Sequence, residues 1–309
     1  MIMTNEMLSE IEGPELKESS FKEILKEKFH NVVARYKAQL ILLIVFFTVI
    51  LIIVILTLIP PFNEPERVFW LEGSRDNFSE PTLQHLLGTD QHGRDYLTRL
   101  LHAIRNSLAF GFITGSLCTG IAVVLGIIGP FKGGVTDTST SFITNIALIF
   151  PQIPFILLMS AILQTREWWI TMLIIGLFTW PWAARSIRSQ VLTLKERNYI
   201  KIAKMSGLKA SKIAFGEVLP NVLPYIFLAF IIFLGNAIII EAGIAIIGLG
   251  QQNWLTLGLL LEHAVSWGFI YPRRLYAMWL TPGICLILIY IAFFVIHSSV
   301  SRTFEQRKV

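Results

Sequence analysis

Long apolar runs alternate with short polar stretches along this chain, and the lengths of the runs set its architecture. A helix rises about 1.5 Å per residue, so crossing a bilayer takes about 20 apolar residues. Six runs meet that need: Leu40–Ile59, Ser107–Phe131, Phe142–Leu163, Trp168–Ala184, Val222–Leu249 and Leu275–Ile296. Pro151 and Pro154 interrupt the third and Pro181 the fourth. Proline is tolerated in a membrane helix when neighbours satisfy the carbonyls it releases, so these positions read as kinks within a bundle. The pattern predicts an all-α polytopic membrane protein with six transmembrane helices.

Two polar stretches have periodicity of their own. In the first, Leu97, Leu100, Leu101 and Ile104 share one helical face, with Arg94, Arg99 and Arg105 off it. That pattern predicts an amphipathic helix lying at the outer interface and leading into the second span. The second lies between the fourth and fifth runs. Tyr199, Ile202, Ala203 and Met205 cluster on one side of a short helix, and Ala210, Ile213, Ala214 and Val218 line a second. Gly207 is placed to be the left-handed residue that ends the first helix. Pro220 marks the return to apolar sequence. The organisation expected is a tail over 1–38, a first transmembrane helix over 39–60 and an outer segment over 61–106. A five-helix core over 107–298 follows, with a loop at about 190–221, and then a second tail over 299–309.

Composition agrees. Of 309 residues, 54% are hydrophobic and 15% charged, against about a quarter charged in soluble domains. The net charge of +5 does not point to nucleic acid, because the basic residues flank apolar runs, where topology explains them. With the N-terminus inside, and counting in the first tail only the five nearest the first run (Lys22, Lys26, Lys28, Arg35 and Lys37), seventeen Lys and Arg fall on the cytoplasmic side and eight outside. Eight of the seventeen lie between Arg185 and Lys212. Both termini and the Arg185–Lys212 segment are therefore expected in the cytoplasm. Trp168, Trp169 and Trp279 sit at run ends as interfacial anchors. Cys118 and Cys285 each lie within an apolar run and read as small buried hydrophobes, not as a disulfide framework.

Candidate chemistry is sparse. The chain contains no Gly-Lys pair, hence no phosphate-binding P-loop. His-Glu-x-x-His and Gly-x-Ser-x-Gly patterns are also missing. His85, His92 and His102 do not have the spacing of a metal site. Glu241 lies about 28 Å along its helix from Val222, which places it near the outer boundary. There it either packs helices, reaching water or capping a neighbour, or touches cargo. Gly243, Gly248 and Gly250 after it suit close helix contact or a turn. A compact helical loop on the cytoplasmic side of a membrane protein suits docking of a soluble partner.

At these residues the chain resembles the type I permeases of ABC importers. That family's coupling motif, Glu-Ala-Ala, three residues, Gly, then an apolar residue and Leu-Pro, aligns with Lys201-Ile202-Ala203, Gly207 and Val218-Leu219-Pro220. Lys201 and Ile202 depart from it. Leu87-Gly88-Thr89-Asp90-Gln91-His92-Gly93-Arg94-Asp95 is similar to a motif of the dipeptide, oligopeptide and nickel permeases. Glu241-Ala242-Gly243 through Gly248-Leu249-Gly250 resembles a second motif of that branch, and Trp279, Pro282 and Gly283 a third. Gln251-Gln252-Asn253-Trp254 stands where the branch has a proline-rich stretch, and His297-Ser298 replaces its Gly-Asp.

The resemblance implies the permease with a long outer segment in a heteromeric importer. Its partners would be a second permease, two cytoplasmic ATPase subunits and an extracytoplasmic solute-binding protein, within membrane lipid. ATP and Mg²⁺ would bind the ATPases, leaving this chain without cofactor or catalysis. Tyr199, Lys201, Ile202, Ala203, Gly207, Leu219 and Pro220 would couple to the ATPase. Gly93, Arg94, Asp95, Glu241, Gly248 and Gly250 would be structural or gating residues. The cargo implied is a di- or oligopeptide, with oligosaccharide or nickel as alternatives. A secondary transporter or channel would need no docking loop.

The orientation has a direct test. A cysteine introduced at Asn77 should react with an impermeant maleimide added outside the cell, and one at Ser19 should not. The reverse pattern would overturn the assigned sidedness.

Overall fold

A computed structural model describes residues 44, 45, 48–59, 62–68, 70, 71, 74, 75, 78–164, 167–208, 210–268 and 276–306. The expected tail over 1–38 and the start of the first span therefore lie outside the described residues. Within the first run, residues 49–56 are helical. An antiparallel pair of two-residue strands follows, β1 (Trp70–Leu71) with β2 (Ser74–Arg75). Among the described residues a non-helical stretch over 78–95 comes next, and the elements after it are helices. α1 runs Tyr96–Lys132, α2 Gly134–Ile149, α3 Gln152–Leu163, α4 Trp168–Thr179 and α5 Pro181–Lys195. Two short helices come next, α6 (Asn198–Met205) and α7 (Ala210–Ile213). A wide turn over Ala214–Val218 leads into α8 (Leu219–Ile246), followed by α9 (Leu257–Gly268) and α10 (Tyr276–Gln306).

Among the described residues, α1, the continuous stretch Ala214–Ile246, and Met278–Ser301 within α10 are long and apolar enough to cross a membrane. α2 with α3, and α4 with α5, would make two more spans as bent pairs. The kink expected in the third run is a sharp break. α2 and α3 meet at 83°, because Phe150 is extended before Pro151, as a residue preceding proline prefers. Pro154 is absorbed in the first turn of α3. α4 and α5 bend by 44°. Pro181 there has no N–H to give Leu177, and the Trp180 indole N–H donates to the Leu177 carbonyl instead, at 2.9 Å.

The predicted boundary at 106/107 falls inside a helix. α1 is continuous over 37 residues, about 55 Å long. The polar side of its first turns is not wet. Arg99 and His102 are buried, covered by the outer segment. His102 Nε2 lies 2.8 Å from the Phe62 carbonyl oxygen, and Arg99 Nη1 donates to Glu66 at 2.7 Å.

α1 is the spine of the bundle. Gly111 and Gly115 form a Gly-x-x-x-Gly pair facing α8, where small residues let backbones approach. A Cβ at Gly111 would lie 2.7 Å from Ile238 Cγ1 and 2.9 Å from the Leu234 carbonyl oxygen. Farther along, one at Gly126 would lie 2.9 Å from the Ala184 oxygen of α5. The core runs along this spine. At the loop end, Ala122, Ala183, Ile187, Val191, Val218 and Val222 pack together. At the other end Tyr96, Ala103, Ile238, Leu257 and Leu260 do so.

Gly111→Val should therefore destabilise the fold by about 1–3 kcal/mol through overpacking. Gly120→Val should change little, because nothing lies within 4 Å of its added Cβ. Melting of the two detergent-solubilised variants would show the contrast. Equal melting temperatures would remove the argument for close α1–α8 packing.

Candidate functional site

Three groups of polar or exposed residues stand out, two of them near the amino end of α1 and one near its carboxyl end. The first is the segment Gly88–Asp95. Asp90 is 1% exposed. Its Oδ1 accepts the backbone N–H of His92 at 2.8 Å and of Arg94 at 3.0 Å, closing the turn on its own side chain. Gly93 within that turn has φ 74°, a conformation costly for residues with a Cβ. Arg94 Nε donates to Asp90 Oδ2 at 2.7 Å, and its guanidinium also pairs with Glu66. Arg99 joins both carboxylates, at 2.7 Å to Glu66 and 3.5 Å to Asp90.

Asp95 caps α1. It is the N-cap residue, one position before the first helical turn, and Oδ2 accepts both N–H and hydroxyl of Thr98, at 2.8 and 2.7 Å. Its Oδ1 lies 3.0 Å from His85 Nδ1. His92 lies 3.0 Å from Arg94 Nη2. The three histidines of this region thus have three different protein partners. Gly93, Arg94 and Asp95 come together as one folded turn. Asp90, Glu66 and Arg99 complete it, and periodicity alone did not single them out. Their signal was the number of opposite charges packed into a short segment.

The second group surrounds Glu241 in α8. It does not reach water, being 1% exposed. Oε1 accepts from the Thr256 hydroxyl at 2.7 Å and the Gln251 amide at 3.3 Å. Thr256 is itself the cap of α9, accepting the Leu259 N–H at 3.2 Å. Ser107 of α1 accepts the Leu257 N–H at 2.9 Å, and Asn106 donates to the Leu255 carbonyl at 2.8 Å. A carboxylate near this helix start also suits its dipole. α9 is 12 residues long, too short for a span, so the length rule passes over it. Thr256 before an apolar run was the available signal.

The glycines after Glu241 divide by role. Gly248 ends α8, with Gly248 N–H to Ala245 O at 2.8 Å and Leu249 N–H to Ile244 O at 3.1 Å, the pair of bonds that closes a helix. Gly250 is a close approach, since a Cβ there would lie 2.5 Å from Ala245 Cα. Gly243 has open space around it. The polar stretch 251–254 works through side chains: Gln251 holds Glu241, Asn253 accepts the Trp168 N–H at 3.2 Å, and Trp254 packs on Trp168 at 4.8 Å between ring centroids.

The third group is the loop after α5. Ile200 of α6 is fully buried in the cluster of Val191, Ile213 and Val218. Tyr199, Ile202, Met205 and Leu208 are exposed, Met205 at 79%. Gly207 has φ 78°, and Leu208 N–H reaches back to the Ala203 carbonyl at 3.3 Å, ending α6 as predicted for a left-handed glycine. Ala203 departs from the expected face. It is half-buried against the cluster, because position 203 lies nearer Ile200 than Ile202 on the helix. Lys201 is exposed and 3.2 Å from Glu196, a pair that contributes little in water. α7 does not stop the chain's helical course at Ile213. It continues through the wide turn, where Leu219 N–H bonds to Ala214 O. Leu219 and Pro220 open α8, and Pro220 has no N–H to give the Gly216 carbonyl, which suits a wide turn. Arg188 of α5 braces this end through two bonds to Asp137 of α2, at 3.0 and 2.9 Å.

Helices at membrane-spanning lengths, a buried polar knot near one end and an exposed apolar helix face at the other are the architecture of a multi-pass membrane protein. Residues 122–308, more than half of the chain, match the family described as binding-protein-dependent transport system inner membrane component. The chain belongs to that family, and its all-α permease fold and inner-membrane location follow. A putative peptide permease protein of Brucella suis is 29% identical over 235 residues, covering 74% of this chain and 75% of that protein. The oligopeptide transport system permease protein OppC of Lactococcus lactis subsp. cremoris is 28% identical over 236 residues, covering 75% and 79%. An inward-facing structure of the MetNI methionine ABC transporter covers 66% of this chain and 97% of its own, at 21% identity and TM-score 0.49.

Glu241 separates packing from charge. Glu241→Ala strands the Thr256 hydroxyl and Gln251 amide in the core, each costing about 1–3 kcal/mol. Abundance of folded protein should fall sharply. Glu241→Gln keeps an acceptor and should retain abundance and transport. Transport lost in the Gln variant at normal abundance would show that the charge itself is required.

Proposed function

We propose that this chain is one permease of an ATP-driven peptide importer, with the α6–α7 loop as the docking site for a cytoplasmic ATPase. The carrying observation is the exposed apolar face of Tyr199, Ile202 and Met205, with Leu208 just past it, on a capped helix whose other side is rooted in the core. Apolar side chains of this size gathered on a short solvent-facing helix mark an interaction surface. Arg197 and Lys201 belong to the same segment, which suits a partner cleft with acidic residues. Lys201 stands where the resembled family has Glu, so an acidic contact from this chain is replaced by a basic one.

The rooting gives a route for force. Ile200 contacts the cluster that includes Val191 of α5 and Val222 of α8. Closure of an ATP-bound ATPase pair would move α6, and α5 and α8 would follow as packed bodies. Import then needs two states of the bundle that ATP and cargo bias differently. ATP and Mg²⁺ belong to the ATPase subunits and the hydrolysis is theirs. A second permease would complete the pathway. A solute-binding protein would deliver cargo at the opposite end, where Leu83 is 98% and Leu86 59% exposed beside the Gly88–Asp95 turn. Peptide is the cargo class favoured, since the Brucella and Lactococcus relatives are named for peptides. Both termini would be cytoplasmic, a sidedness that the distribution of basic residues supports.

Ile202→Glu and Met205→Glu place a carboxylate on exposed positions and should leave insertion intact. Each should lower ATPase co-purification at least tenfold and abolish transport. Gly207→Val strains the turn by about 1 kcal/mol or more, and Ala203→Trp overfills a half-buried site. Both should uncouple hydrolysis from transport. Wild-type association and transport in all four variants would falsify this docking site.

A further inference from the structure

The loop end of the bundle carries a second concave feature that docking does not use. Val124, Ile127, Ile128 and Phe131 of α1 face Phe215 and Leu219 across a groove of about 340 Å³. Its walls are apolar, and Lys132 is the charged residue among those that line it. Phe215 is 72% exposed and Val124 51%. The wide turn at Ala214–Val218 carries Phe215 on its outer side. Along α1, the groove from Val123 to Lys132 covers about 14 Å at helical rise.

Charge gathers at one end only. Lys132 closes α1. Lys195 of α5 donates to the Pro130 carbonyl, which fixes a second ammonium beside that end. Lys212 is exposed, two residues before Ala214 of the groove wall. Among the described residues, neither Lys132 nor Lys212 is in an ion pair. Glu217, two residues after Phe215, does not share its face. The groove thus presents an apolar channel along α1 and a cationic rim at its mouth. That is the two-part chemistry of an anionic phospholipid, whose acyl chain needs the channel and whose phosphate needs the rim. Basic pockets between membrane helices favour such headgroups, and each lysine near a charged surface adds about 1 kcal/mol.

We propose that this groove binds one anionic phospholipid, with an acyl chain along Val124, Ile128 and Phe215 and its phosphate at Lys132 and Lys212. A neutral lipid would gain only the channel. A neighbouring protein helix would have to bring a carboxylate to the same rim, and this is the competing occupant the test must detect.

Native mass spectrometry of the full chain, purified in detergent and exchanged into mixed phosphatidylglycerol and phosphatidylcholine, measures the site without reference to transport. Wild type should retain phosphatidylglycerol at least fivefold over phosphatidylcholine through delipidation. Lys132→Gln with Lys212→Gln should remove that preference, and both positions are exposed, so the fold should persist. Val124→Trp should fill the channel and lower retention while keeping the lysines. A photo-crosslinker at Phe215 in whole membranes should capture lipid. Equal retention of the two lipids, retention unchanged in both sets of variants, or a protein adduct at Phe215 would each overturn the assignment.

Discussion

A backbone carbonyl or N–H left open in a hydrocarbon medium costs several kcal/mol, and this structure is arranged around closing those that its prolines and helix ends release. Pro282 lies inside α10 and has no N–H for the Met278 carbonyl four residues back. The Tyr96 hydroxyl donates to that carbonyl. One bond thereby satisfies the orphan acceptor, buries a phenol that is 2% exposed and pins the start of α1 to α10. Pro181 and Leu177 repeat the solution with the Trp180 indole. Proline in these helices is therefore a site of contact and not only a site of weakness.

The amino end of α9 applies the same constraint to donors. A short helix beginning among buried side chains exposes free N–H groups to a medium with no water. Ser107 of α1 and Thr256 accept two of them, and Glu241 of α8 receives the Thr256 hydroxyl. Three helices are thus tied at one polar knot, and the Gly-x-x-x-Gly face of α1 brings α8 close enough to reach it. A Cβ at Gly258 would lie 2.7 Å from Ala242 Cα. The knot explains why a carboxylate sits in the core of an apolar bundle: it serves the helix start that length alone could not stabilise.

What the sequence made legible follows from what each signal measures. Run length and hydropathy report burial in lipid, so α1, α8 and α10 stand out from composition. The same measure missed α9, at 12 residues, and read Pro151 as a kink, because hydropathy does not see the extended Phe150 that turns α2 from α3 by 83°. Helical periodicity found the outer face of α6 but assigned Ala203 to it. The side a small residue faces is decided by its neighbours, here Ile200 and its cluster. Arg99 looked like a solvent-facing charge on an amphipathic helix. Its partners Glu66 and Asp90 lie 33 and 9 positions away, and only the folded outer segment brings them together. Gly93 and Gly207 were legible because positive φ is a local demand, met within a few residues of the glycine.

Local and tertiary constraints meet at the α6–α7 loop, and their combination bears on how force would pass through it in the proposed docking role. A loop that only bound a partner could be flexible. One that transmits displacement must resist bending between its contact face and the helices it moves. α6 meets that requirement by two means: a glycine-closed end that fixes its direction, and Ile200 buried under it as a key. The exposed residues could change chemistry, as Lys201 for Glu shows, without altering either device. The buried residues could not, because Ile200, Ile213 and Val218 share one cluster with Val191 and Val222. In the proposed docking role, specificity for a partner and transmission to the membrane helices would thus reside on opposite faces of the same short helix, and a change on one face would leave the other in place.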